Sequence, residues 1–218
     1  MENQPNAPAN AQTQAMAAAF SGVQSRYQGA IRNVTTRLEI LDDEFSVEHR
    51  RNPIHAIQSR MKTIPSIMEK LRRRGLEVSV PSAVANLTDI AGVRVVCAYI
   101  HDIYTVANLL TRQDDVRVVR VRDYIQNPKP NGYRSLHIVM EIPVYLREGA
   151  VRVPVEVQLR TIAMDFWASL EHSLRYKAPD SLPENISAEL LQTATDIAVL
   201  DERMQRIHDK LEQSSRPG

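Results

Sequence analysis

From Val151 to Arg160 the chain alternates without a break, with Val151, Val153, Val155, Val157 and Leu159 on one side and Arg152, Pro154, Glu156, Gln158 and Arg160 on the other. A period of two puts these sets on opposite faces of a β-strand. Such a strand needs a covered valine face and paired edges, so it demands a sheet with something packed against it. Upstream, Leu136, Ile138, Met140 and Ile142 alternate with Ser135, His137, Val139 and Glu141, and Arg147-Glu148-Gly149 reads as the turn joining Ser135 to Tyr145 with Val151 to Arg160. If the two polar faces coincide, Glu156 and His137 share one accessible sheet surface.

Other segments supply the rest of such a sheet. Ile90 to Tyr99 is β-branched and almost continuously apolar, as a strand covered on both faces is, and Ile54 to Lys62 and Val116 to Ile125 read as two more strands. Helices are predicted over Ile64 to Arg74, with Pro65 in the first turn and Gly75 just past the end, over Asp102 to Gln113, and over Thr161 to Tyr176. Phe20, Val23, Tyr27, Ile31, Val34, Leu38 and Leu41 recur at three- and four-residue spacing, which predicts an amphipathic helix from Ala19 to Val47 covering one side of the domain. A last helix, Glu184 to Glu212, repeats Leu190, Thr193, Ile197, Leu200, Met204, Ile207 and Leu211 at the same spacing, a pattern that suits a core face or an oligomerisation seam. Residues 1–18 are mostly Ala, Asn, Gln and Pro and are expected to be a flexible tail, leaving residues 19–218 as a single domain.

Composition narrows the classes further. With 218 residues, 43% hydrophobic and 24% charged, the chain is expected to fold as one domain with appendages. Its 27 Lys and Arg against 26 Asp and Glu leave a net charge of +1, so no global field holds it on a phosphate backbone and any phosphate chemistry must be local. The single cysteine, Cys97, permits neither an intramolecular disulfide nor a Cys-based zinc site, and it sits in an apolar run as a small buried hydrophobe. Neither a run of eighteen apolar residues nor a charged-then-apolar leader is present, so a soluble, cytoplasmic protein without a membrane span is expected.

Four clusters bear on chemistry: Arg60-Met61-Lys62 through Ser66, Lys70 and Arg72-Arg73-Arg74; Asp89-Ile90-Ala91-Gly92-Val93-Arg94; Lys129 through Gly132-Tyr133-Arg134-Ser135-Leu136-His137; and Val155-Glu156-Val157-Gln158-Leu159-Arg160-Thr161. Singly, each has a bland explanation. Arginines at a helix C-terminus are ordinarily a solvated face, Asp before a buried strand is a turn residue, and Glu156 could be half of a cross-strand ion pair. Together they supply separate carboxylates, many cations and an aromatic in a Gly-containing loop, which is what a polyphosphate reaction requires. Asp89 and Glu156 could hold Mg²⁺ through oxygen, with Lys and Arg neutralising the transferred group. Neither Gly-x-x-x-x-Gly-Lys-Ser/Thr, Gly-x-Gly-x-x-Gly nor Gly-x-Ser-x-Gly occurs, which excludes P-loop, Rossmann and α/β-hydrolase chemistry.

In that order, with Arg122-Asp123-Tyr124-Ile125 and Met164-Asp165-Phe166-Trp167-Ala168 through Glu171-His172 added, the motifs resemble the small, RelQ-like alarmone synthetases of the RelA/SpoT homologue superfamily over roughly Ile54 to Lys177. The resemblance implies an α/β (α+β) fold, a nucleotidyltransferase-like mixed sheet of about five strands flanked by helices, with long N- and C-terminal helices. It implies transfer of the β,γ-pyrophosphoryl group of ATP to the 3′-hydroxyl of GDP or GTP, with AMP leaving and Mg²⁺ as cofactor. By motif position, Arg60 and Arg94 would sandwich adenine. Lys62, Ser66 and Lys70 would bind ATP phosphates, Asp89 would be a metal ligand, and Glu156 would assist the metal and take the 3′-hydroxyl proton. Tyr133 would stack on guanine, with Arg122, Lys129, Arg134 and His137 at the acceptor nucleotide. The resemblance also implies a homotetramer. Ala56 and Asp165 stand where many RelQ-like members have an aromatic and an Asn in a central alarmone-binding cleft; Ala cannot stack and a carboxylate repels pyrophosphate, so product activation is not carried over. His101-Asp102 and His208-Asp209 lack the partners of the hydrolase metal site found in long superfamily members. Two other functions compete: a template-independent nucleotidyltransferase, whose Gly-Ser loop and Asp-x-Asp are missing here, and a catalytically silent RNA-binding regulator using Arg72 to Arg74, for which 5% aromatic content offers few stacking platforms.

Overall fold

A computed structural model describes residues 7–49, 51–177 and 182–214. Five strands, β1 (Ile54–Met61), β2 (Ala91–Cys97), β3 (Arg117–Asp123), β4 (Leu136–Leu146) and β5 (Gly149–Thr161), form one mixed sheet in the order β1-β2-β5-β4-β3. Only β2 and β5 run parallel. The hairpin has the expected turn: Leu146 pairs with Gly149, whose φ of 124° is a conformation that glycine adopts without strain.

The valine face of the sheet is the core. Val93, Val95, Ile138, Met140, Ile142, Val153, Val155, Val157 and Leu159 are buried against two helices, α1 (Ala7–His49) and α4 (Ile100–Thr111). Gly29 marks how closely α1 approaches, since a Cβ there would lie 2.8 Å from Val144 Cγ1. The opposite, polar face stays open, with α5 (Ile162–Lys177) across one end. Two more helices, α2 (Ile64–Arg73) and α3 (Val80–Asn86), lie between β1 and β2, and α6 (Glu184–Ser214) packs on α4 and α5.

Three expectations need correction. Residues 7–18 of the expected tail are helix, because Ala-rich sequence extends a helix already nucleated by α1's apolar stripe, and Met16 is buried in the core, while residues 1–6 lie outside the described residues. Coverage of β2 on both faces holds only toward its C-terminal end, since Gly92 and Arg94 are half-buried on the open face. The short helix α3 was not anticipated: Ser79 caps it and Pro81 sits in its first turn, but seven residues are too few for a helical period to register.

Candidate active site

Asp89 stands in the loop between α3 and β2, where Lys62 at the end of β1 and Lys70 on α2 converge on it. Both ammonium groups bond Asp89 Oδ2, at 2.5 and 2.6 Å, while Asp89 Oδ1 is buried with no hydrogen-bond partner. Burial pushes this carboxyl up, but Lys62 and Lys70 outweigh burial and hold it below the usual carboxylate range. Lys70 itself is pulled down by burial, with Asp89 opposing.

Glu156 lies across the same cavity, a space of about 200 Å³ lined by Gln58, Ser59, Arg60, Asp89, Gly92, Val93, Arg94, Glu156 and Gln158. The expected sharing of faces holds: His137 pairs with Gln158 across the hairpin, and its Nδ1 sits 3.7 Å from Glu156 Oε1. Gln158 donates to Glu156 Oε2 at 2.9 Å. Burial raises the Glu156 carboxyl, and His137 and Gln158 more than offset it, so the net direction is downward. Arg60 and Arg94 project from neighbouring strands one diagonal apart, Arg60 opposite Gly92 and Arg94 opposite Gln58. A buried carboxylate oxygen without a partner, beside a second ionised carboxylate, fits a hard divalent cation that takes its remaining oxygens from phosphate and water. Among the described residues no group of three His, Cys, Asp or Glu forms a metal site without such help.

A larger cavity of about 610 Å³ adjoins the first, sharing Arg60, Arg94 and Gln158, and adds Lys129, Asn131, Tyr133, His137, Arg160 and His172. Lys129 Nζ lies 4.5 Å from the Tyr133 ring centroid and 4.7 Å from that of Tyr124. Arg160 Nη2 donates to Tyr133 Oη at 2.6 Å, and the same hydroxyl meets His137 Nε2 at 2.8 Å. If the tyrosine hydroxyl donates to Nε2, the ring proton of His137 lies on Nδ1, facing Glu156. The loop bearing Tyr133 is held from behind by α6, where Trp167 donates to the Leu190 carbonyl at 3.0 Å.

The other expected residues divide. Arg122, paired with His137 across the sheet, reaches Tyr124 Oη at 3.4 Å beside the larger cavity. Ser66 bonds Thr63 Oγ1 at 2.9 Å within the N-cap of α2 and lines neither cavity. Arg134 donates twice to the Ile125 carbonyl, at 3.2 and 2.7 Å, which ties its own loop together, and it does not line the larger cavity. Gln58, Gln158 and Arg160 line the cavities and Tyr124 contacts Lys129, none of them given a role from the sequence, while Asp165, noted there only for its place in the alarmone-binding cleft, pairs with Arg94 and Arg160. For Gln158 and Arg160 the signal was present, since both alternate in step with Glu156.

The family model described as "Region found in RelA / SpoT proteins" matches residues 59–181, which include every residue lining the two cavities except Gln58. The chain belongs to the RelA/SpoT family. It is 46% identical over 178 residues to the GTP pyrophosphokinase YwaC of Bacillus subtilis (strain 168), covering 82% of this chain and 85% of that one. The crystal structure of small alarmone synthetase 2 from Bacillus subtilis superposes with a TM-score of 0.77 at 44% identity, over 84% of this chain and 96% of that one. Small alarmone synthetase 1 from the same organism, bound to its product pppGpp, gives a TM-score of 0.81 at 34% identity, over 88% and 97%. Within the RelA/SpoT family this chain is therefore a small alarmone synthetase, and its fold is that of the solved members.

Proposed function

We propose that the protein is a GTP pyrophosphokinase that transfers the β,γ-pyrophosphoryl group of ATP to the 3′-hydroxyl of GDP or GTP, making ppGpp or pppGpp. One observation carries the reading: two adjoining cavities, one with paired carboxylates and arginines, the other with an aromatic and cations, share a wall of Arg60, Arg94 and Gln158. ATP lies in the smaller and the guanine nucleotide in the larger. Arg60 and Arg94 flank adenine, and Lys62 and Lys70 turn from Asp89 toward the phosphates. Asp89 and Glu156 would hold Mg²⁺, which would supply neutralisation of phosphate charge and polarisation of the transferred group. Glu156 orients the 3′-hydroxyl and takes its proton as the 3′-oxygen bonds to the β-phosphorus; the bond from that phosphorus to the α,β-bridging oxygen breaks, and AMP leaves with the electron pair. His137 holds Glu156 through Nδ1, and Tyr133 stacks on guanine with Lys129 and Arg122 at the phosphates.

The protein acts on cytosolic nucleotides, which sets its place in the cytoplasm; among the described residues no helix is long and apolar enough to cross a membrane. We also assign it a homotetrameric assembly, supported by the exposed apolar side chains Leu200, Met204, Ile207 and Leu211 along α6.

Purified protein incubated with Mg²⁺, γ-labelled ATP and GDP or GTP tests the reaction. AMP formed in step with label on a guanosine tetra- or pentaphosphate is expected. Pyrophosphate release with AMP joined to an acceptor would assign a nucleotidyltransferase instead.

A further inference from the structure

We propose that Asp165 is a positioning residue that couples the two nucleotide sites, one carboxylate oxygen holding both Arg94 and Arg160. It deepens the reading above and rests on its assignment of the cavities to ATP and guanine nucleotide. Asp165 lies in the first turn of α5, where unpaired backbone N–H groups favour a carboxylate. Its Oδ1 is 3.1 Å from Arg160 Nη1 and 3.3 Å from Arg94 Nη1, so one atom touches a residue common to both cavities and a residue confined to the larger.

Arg94 leans on that contact more heavily than Arg160 does. The Nε atoms of Arg94 and Arg160 are both buried and without a partner, so each guanidinium is held from its outer nitrogens alone. Arg160 is braced there by Tyr133 Oη at 2.6 Å and Gln158 Oε1 at 3.1 Å, whereas among the described residues Arg94 has only Gln58 Oε1 at 3.5 Å besides Asp165. The two like charges also oppose each other: burial first, then Arg160, lowers the Arg94 pKa, and Asp165 acts against both. Among the described residues no other carboxylate pairs with either arginine.

A shared oxygen makes the two contacts competitive. When ATP draws Arg94 onto its base, the full charge of Asp165 falls to Arg160, which grips Tyr133 and, through it, His137. Guanine nucleotide then binds a better-ordered site. By linkage the effect is mutual, each nucleotide tightening the other by the same factor.

The test is calorimetric titration of GDP, with Mg²⁺, in the presence and absence of a non-hydrolysable ATP analogue. Wild type is compared with Asp165→Asn and Asp165→Ser, residues that helix starts accept. In wild type the analogue is expected to tighten GDP by about fivefold or more, and that factor is expected to fall toward one in both variants. Melting curves confirm that the variants are folded, and a purely capping role would lower the melting temperature without moving the coupling factor. The proposal is overturned if wild type binds each nucleotide without coupling, or if either folded variant keeps the full factor. Failure of wild type to bind either nucleotide would strike the assignment of the cavities itself, and the proposal with it.

Discussion

Asp89 divides its oxygens between two tasks, Oδ2 accepting from Lys62 and Lys70 while Oδ1 stays free. Asp89→Asn removes the charge that balances both lysines and would hold the metal, so kcat is expected to drop at least about a hundredfold in the AMP assay. Glu156→Gln takes away the proton acceptor and is expected to cost about 10²-fold to 10⁴-fold. Circular dichroism should show both variants folded. Both carboxyls lie below their ordinary pKa, so their ionised forms stabilise the fold above the unfolded carboxylate value, and that contribution is lost as pH falls through the lower folded value. The kcat/KM profile should therefore show no acid limb from these groups down to about pH 5, and a carboxylate-type ionisation near neutrality in that profile would contradict the lowered Glu156 pKa. Tyr133→Ala strips the aromatic face and the hydroxyl that links Arg160 to His137. It is expected to raise KM for guanine nucleotide about tenfold with KM for ATP little changed; the reverse pattern would exchange the two sites.

At the level of elements, α6 is the backing of the acceptor loop. Gly132 has φ of 86°, and a Cβ on it would meet Ala194 Cβ at 2.5 Å and Leu191 Cδ1 at 3.2 Å. Gly132→Ala must move either the loop or the helix. A loss of about 1–3 kcal/mol in stability is expected, together with weaker GDP binding, both readable by calorimetry. The other anchor of α6 is Asp201, buried, with Thr161 donating to it at 2.6 Å. Burial raises this carboxyl, only partly opposed by Thr161. A raised folded value means that its stabilising contribution is complete below the unfolded carboxylate pKa and is lost as pH rises through the folded one. Asp201→Asn keeps an acceptor for Thr161 without the charge, so it is expected to raise the melting temperature near neutral pH by about 2–4 °C and to converge with wild type in acid.

For the whole molecule, the unsatisfied feature is the outer face of α6. Leu200, Met204, Ile207 and Leu211 are 44–63% exposed, while inward-facing Ala194 and Asp201 are buried. A stripe of that length is costly to leave in water. Light scattering is expected to report a tetramer, and Leu200→Glu combined with Ile207→Glu to lower the mass toward one chain. A wild-type monomer at every concentration would refute the assembly.

Strong local periodicity made most of the fold legible. The alternation through Val151–Arg160 and the three- and four-residue spacing of Phe20 to Leu41 determined β5 and α1, since each pattern has only one backbone period that buries it. The ordered motifs likewise identified the carboxylates, the paired arginines and the aromatic loop. What lay outside local reach was pairing between segments distant in the chain. Arg134 and Tyr133 are neighbours in sequence, yet one ties back to Ile125 and the other joins Arg160 and His137. Asp165 gains its two arginines only because α5 starts where β2 and β5 end side by side. The sequence by itself determined the five strands, the helices long enough to show a period and which chemical groups are present, but not α3 or the N-terminal extension of α1. Tertiary structure alone decided which cations each carboxylate meets, because charge pairing depends on distances across the sheet that no local period encodes.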